Sequence, residues 1–167
     1  MMDFTTQEWF YASAYQNQDF IYIETFSGYG KKAADPDGVQ ILLPPDASNE
    51  DLGKATLAAL SKSRIIDISE IATFFDLDKT MKNYNNWVAD LMSKYGYKTK
   101  RALFKNMMQC SIEIRNGVLT LSPTHHEKLE AWGRVKGLTD FENVVLPINS
   151  TAEEIGAGLR LAFSRCR

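Results

Sequence analysis

Long apolar runs are missing from this chain. No stretch approaches the roughly 18 residues that a membrane span requires. The opening MMDFTTQEWF has neither the basic start nor the apolar centre of a secretion signal. Both absences point to a cytoplasmic protein with no membrane partner. Cysteine is scarce: Cys110 and Cys166 stand alone, in no metal or redox spacing, and read as free thiols of a reducing compartment. The two histidines, His125 and His126, are adjacent, and neighbours on a strand or helix point apart, so they cannot simply share one metal. An excess of either charge sign is missing too. Nineteen basic against twenty-one acidic residues give a net charge of −2, whereas a generic nucleic-acid or membrane-surface binder is usually more basic. There is no P-loop, no dinucleotide glycine fingerprint and no G-x-S-x-G elbow. Asp35-Pro-Asp37 and Asp76-Leu-Asp78 lack the remaining ligands of a calcium loop. Glu113-Ile-Arg115 has no upstream acid to complete a nuclease carboxylate set. No catalytic residue, metal or cofactor is expected, and the chain is not read as an enzyme.

What is present is an ordinary globular composition, 44% hydrophobic and 24% charged over 167 residues. That length fits a single domain spanning 1–167. Charge is segregated along it. Residues 1–50 carry eight acids and two bases, and residues 93–116 carry six bases and one acid. The basic block, Lys94, Lys98, Lys100, Arg101 and Lys105, alternates with Tyr95, Tyr97 and Phe104. Such a mixture suits single-stranded nucleic acid through phosphate charge and base stacking. An RNA-binding module on 94–105 is therefore the alternative function. The competing reading, a lysine-rich rim whose aromatics face the core, agrees better with the acidic whole.

An internal repeat is visible. Residues 41–64, ILLPPDASNEDLGKATLAALSKSR, align without a gap on residues 144–167, VVLPINSTAEEIGAGLRLAFSRCR. Pro44/Pro147, Glu50/Glu153, Gly53/Gly156 and Arg64/Arg167 are among the identical pairs. In each copy a short strand runs into a proline, which stops sheet pairing. Ser48 or Thr151 then caps a helix, with an acid three residues later. The glycine inside each first turn costs about 1 kcal/mol relative to alanine, so its recurrence implies close packing, expected to be of helix on strand. The acidic first turns argue against an anion site there.

Other elements follow from periodicity. Residues 8–15 and 19–26 read as an aromatic-rich β-hairpin. Met81, Tyr84, Val88, Leu91, Met92 and Tyr95 share one face of a helix over 80–95, closed by Gly96. A short helical stretch, TKRALFKN, follows. Strands 107–115 and 118–122 flank Asn116-Gly117, a strong hairpin signal, with Ile114 opposite Leu119 and Ile112 opposite Leu121. The order is β-β-β-α-α-(α)-β-β-(α)-β-α. The fold class is α+β: a mixed, largely antiparallel sheet with packed helices, containing two strand–proline–helix units.

The segment SKYGYKTKRALFKNMMQCSIEIRNGVLTLSPTHHEKLEAW, with the closing LPINSTAEEIGAGLRLAFSRCR, resembles the CdiI immunity proteins of bacterial contact-dependent growth inhibition. The resemblance runs from about Trp9 to the C-terminus. It implies a small cytoplasmic toxin inhibitor, acting in bacterial competition, that binds the C-terminal toxin domain of a CdiA exoprotein and protects the cell that makes it. The toxins of that family are commonly nucleases, and an RNase is the favoured kind here. No catalytic residue is carried over, because the activity is inhibition by binding, and direct nucleic-acid binding is not expected. A nuclease cleft is basic, so a plug for it should be acidic. The segment IIDISEIATFFDLDK over 65–79 sets Asp67, Glu70, Asp76 and Asp78 around Ile71, Phe74 and Phe75, a pattern of apolar centre and charged rim. With Asp46 and Glu50 from the acidic stretch before it, Asp67, Glu70, Phe74, Asp76 and Asp78 are the expected toxin-binding residues.

Overall fold

A computed structural model of the chain describes residues 2–134 and 142–167. Among these residues nine strands and five α-helices fall in blocks along the chain, with a single 3-10 turn at Ile68–Glu70. The first strands are β1 (Trp9–Gln16), β2 (Ile21–Tyr29), β3 (Lys31–Ala34) and β4 (Gln40–Leu43). Helix α1 (Asn49–Ser61) follows, then the short α2 (Ile71–Phe74), the long α3 (Leu77–Tyr95) and α4 (Lys100–Phe104). Strands β5 (Met108–Arg115), β6 (Val118–Pro123), β7 (His125–Lys128), β8 (Ala131–Gly133) and β9 (Val144–Pro147) precede the last helix, α5 (Ala152–Ser164). Seven strands form one sheet, ordered β3-β2-β1-β5-β6-β9, with β4 also on the outer flank of β2. Every named ladder is antiparallel. The α+β class read from sequence holds.

Local chemistry accounts for the elements. Asn116 and Gly117 both take positive φ, 52° and 76°, as a tight hairpin turn requires. The ladder they close pairs Ile114 with Leu119 and Ile112 with Leu121, the register expected, and all four side chains are buried. Ser48 and Thr151 accept hydrogen bonds from the backbone N–H of Asp51 and Glu154, each at 3.1 Å. Each thus satisfies a donor that the helix start leaves free. Gly96 ends α3 in the left-handed conformation.

The sheet has a core on each face. On one, Ala12, Ala14, Ile21, Ile23, Ile112 and Leu121 meet Leu52 and Leu60 of α1 and Ile155, Leu159 and Phe163 of α5. On the other, Phe20 and Tyr22 meet Val88 and Leu91 of α3 and Leu103 and Phe104 of α4. Full burial of side chains of this size contributes about 1.5–3 kcal/mol each. The stretches 41–64 and 144–167 each run from a strand into a capped helix, and α1 and α5 lie against one another.

Three expectations need correction. The repeated glycines pack helix on helix, not helix on strand. A Cβ built on Gly53 would stand 1.8 Å from the Ala152 carbonyl oxygen, and one built on Gly156 would stand 1.8 Å from that of Asn49. Secondly, the order expected from sequence has no strands over 125–133, where the β7–β8 hairpin forms. His126 stacks on Trp132 there, with centroids 4.8 Å apart, and the Trp132 indole donates to the Met107 carbonyl. Thirdly, Met81 lies outside the core, 55% exposed, because the first turns of α3 project beyond the sheet-facing stretch. Cys110 and Cys166 are free thiols with their sulfurs 3.8 Å apart.

Candidate functional site

Strand alternation sends Tyr22, Glu24 and Phe26 of β2 to the face opposite α1. Between that face and the segment from α2 into α3 a groove of about 1060 Å³ opens. Tyr15 of β1 and Tyr22 form part of its floor, and Tyr84 and Trp87 of α3 stand on its wall. The Trp87 ring lies 5.5 Å from Tyr15, 5.3 Å from Tyr22 and 5.8 Å from Tyr84, centroid to centroid. One aromatic surface therefore runs from sheet to helix.

Two polar groups in this groove have no partner. Glu24 is only 9% exposed, and among the described residues no donor reaches its carboxyl group. Burial pushes its pKa up to about 8, because a low-dielectric setting disfavours the charged form. The Trp87 indole N–H is buried without an acceptor. Burial first, and the Glu24 charge second, also raise the phenols of Tyr15 and Tyr22. The other charged groups lining the groove are Asp35, Asp37, Arg64 and Glu70 at one end, and Lys79, Asp90 and Lys94 of α3.

An ion pair holds the first of those ends. After α1 the chain runs beside β2, with Ile66 N–H donating to the Gly28 carbonyl. That course brings the Arg64 guanidinium to Asp35, Nε to Oδ2 at 2.8 Å. The Ser27 hydroxyl and the Asp37 N–H also donate to Asp35. Burial alone would raise the Asp35 carboxyl, but these hydrogen bonds and the Arg64 charge outweigh it and hold the pKa low. Arg64 also sits over the Phe74 ring, 5.6 Å from its centroid. Replacing Arg64 by alanine should therefore cost about 1–2 kcal/mol. The Asp35 side chain is 1% exposed and would lose its main partner, while the exposed half of Arg64 limits the loss. Urea unfolding at neutral pH measures it, and an unchanged midpoint would show that water replaces the arginine fully.

The expected binding residues fall in two places. Asp67, Glu70, Asp76 and Asp78 are exposed and Phe74 is half-buried, all in the segment that walls the groove. Glu70 and Phe74 line it directly. Asp67 and Asp76 also serve as caps, accepting from Ser69 N–H and Lys79 N–H. Asp46 lies in the turn before α1, and Glu50 pairs with Lys54 at 3.5 Å. Both belong to the helical layer on the other face of the sheet. The basic block does not form a stacking platform: Tyr95 stacks on Phe20, Phe104 is fully buried, and Lys100 pairs with Glu130. No group of three or more His, Cys, Asp or Glu able to hold a metal exists among the described residues. Likewise no helix among them is long and apolar enough to cross a membrane. The sequence reading passed over Glu24, Tyr15, Tyr22 and Trp87. The available signal was the run IYIETF, where one glutamate interrupts a strand that is apolar on both faces.

A family model described as CDI immunity protein matches residues 10–166. The immunity protein CdiI-YPIII of Yersinia pseudotuberculosis is 45% identical, the match covering 100% of this chain and 99% of that protein. A solved CdiA-CT/CdiI toxin and immunity complex from Yersinia pseudotuberculosis is similar at 44% identity and a TM-score of 0.87, covering 96% of this chain and 99% of that one. A protein of unknown function from Neisseria meningitidis is similar at 43% identity and a TM-score of 0.92, covering 99% of this chain and all of that one.

Proposed function

The chain belongs to the family of contact-dependent growth inhibition immunity proteins, and from that premise we propose that it binds and neutralises the C-terminal toxin domain of a cognate CdiA exoprotein in the cytoplasm of the cell that makes it. The observation that carries this reading is the match, over nearly the whole chain, to a protein solved as the immunity half of a toxin complex. The protein acts by association and has no reaction of its own to perform. The toxin is a nuclease, with RNA the favoured substrate, and the immunity protein covers its active-site cleft. The acidic segment 65–79 supports this placement. Its exposed carboxylates surround Ile68 and Leu77, which are 73% and 78% exposed, and acidic rims speed docking to a basic cleft.

Co-expression with the C-terminal domain of the neighbouring CdiA tests the role. The wild-type chain should restore growth, and absence of protection would end the proposal. Charge reversal tests the placement. Asp67 and Asp76 are poor choices, because their loss also removes caps worth about 1 kcal/mol each. Glu70→Lys and Asp78→Lys are cleaner. Each should slow association at low salt, and Lys98→Glu should change it less. Assaying the free domain on RNA and on DNA identifies the substrate. A complex that leaves the toxin's cleft open would refute occlusion and leave the immunity role intact.

A further inference from the structure

We infer that the groove between β2 and α3 receives a lysine or arginine side chain of the toxin domain, and that Glu24 is the carboxylate that takes it. The inference rests on the toxin-binding reading above and adds to it the receiving residue and the chemistry received. A buried carboxyl without a partner is costly, and the fold makes no use of this one. Its cross-strand neighbours are Ser13 and Gln40. Ser13 accepts from Gln109, and Gln40 donates to the Asp35 carbonyl. Neither is turned to Glu24.

The surroundings select a cation. Tyr22 and Trp87 line the same cavity as Glu24, and aromatic faces attract a cation held within about 6 Å. A guanidinium or ammonium brings several donors to a carboxylate whose acceptor sites are all unused. An apolar occupant would leave the Glu24 carboxyl unsatisfied, whereas a cation gives it both donors and an opposite charge. A protein partner fits better than a free small molecule, because the wall segment also carries the exposed apolar Ile68 and Leu77. In the empty groove, burial keeps Glu24 protonated at neutral pH. An arriving cation favours the ionised carboxylate and the proton leaves to solvent, so the free protein need not hold a bare charge.

The experiment measures affinity between the full chain and the C-terminal domain of the neighbouring CdiA. Glu24→Gln should weaken binding at least tenfold while melting no lower than wild type. Replacing the lysines and arginines of the toxin domain one at a time should find one whose loss weakens binding by wild type and adds nothing against the Glu24→Gln chain. Glu24→Ala serves the same comparison if the glutamine variant fails to fold. A weakening of less than tenfold, or a scan in which no toxin cation couples to Glu24, overturns the inference and leaves toxin binding standing. If the wild-type chain does not bind the domain at all, the reading and the inference fall together.

Discussion

Gly156→Leu is expected to lower the unfolding free energy by about 3 kcal/mol or more, at the upper end of overpacking costs. The reason is what the new side chain would meet. A Cβ at this position lies 1.8 Å from the Asn49 carbonyl oxygen and 2.5 Å from its carbon. Backbone cannot rotate away as a side-chain tip can, so α1 and α5 must separate, and the Leu52, Leu60, Leu159 and Phe163 contacts loosen with them. For a chain of this size each kcal/mol shifts the melting temperature by about 2–4 °C. Gly53→Ala should act in the same way against Ala152. The two substitutions should be less than additive, because helices already parted for one Cβ have room for the other. Gly158 is the control. Its Cβ would meet only side-chain methyls of Leu121, Leu146 and Val144, at 3.1–3.3 Å, so Gly158→Ala should be nearly neutral. Equal losses at 156 and 158 would show that helix crossing is not the cause.

Glu24→Gln should raise stability, by an amount that grows with pH. The folded protein holds this carboxyl protonated up to about pH 8, whereas its ordinary value is 4.5. Between those values the unfolded chain has released the proton and the folded chain has kept it. Wild-type stability therefore falls as pH rises through the window, by up to about 1.4 kcal/mol per pH unit. Glutamine does not titrate, so urea midpoints of variant and wild type should lie close near pH 5 and diverge towards pH 8. A gap that stays constant with pH would mean that water or a neighbour already solvates Glu24. Asp35 responds in the opposite sense. Its pKa is held low, so its contribution is present above its ordinary value and is lost as pH falls through the folded one. The wild-type protein should thus weaken at both ends of the range, through different residues.

How far the sequence revealed these features depended on the distance over which each is determined. The Asn116-Gly117 turn, the Ser48 and Thr151 caps and the α3 periodicity are local, and each was readable within a few residues. The glycine pair was readable as a packing demand but not as a partner, since the crossing of α1 on α5 joins positions a hundred residues apart. The acidic wall at 65–79 was visible as composition, while the Asp76 cap required a helix start that periodicity placed three residues late, and the Asp67 cap a short turn over 68–70 that no periodicity marks. Glu24 was hidden for a different reason. Its burial depends on how α3 lies over β2, and the apolar residues on both sides of it read simply as a strand. The Asp35–Arg64 pair was equally out of reach, because Arg64 comes to Asp35 only after α1 has returned the chain to the edge of β2.

The two cores share a sheet but few side chains. One holds α1 and α5; the other holds α3, α4 and the groove. Substitutions in groups more than about 7–10 Å apart, with no shared partner, add independently. If the toxin docks at the groove as proposed, the exposed wall residues can change without disturbing the α1–α5 helix pair on the other face. On that placement, sister proteins facing different toxins would differ most along the groove wall and keep Gly53 and Gly156 on the opposite face.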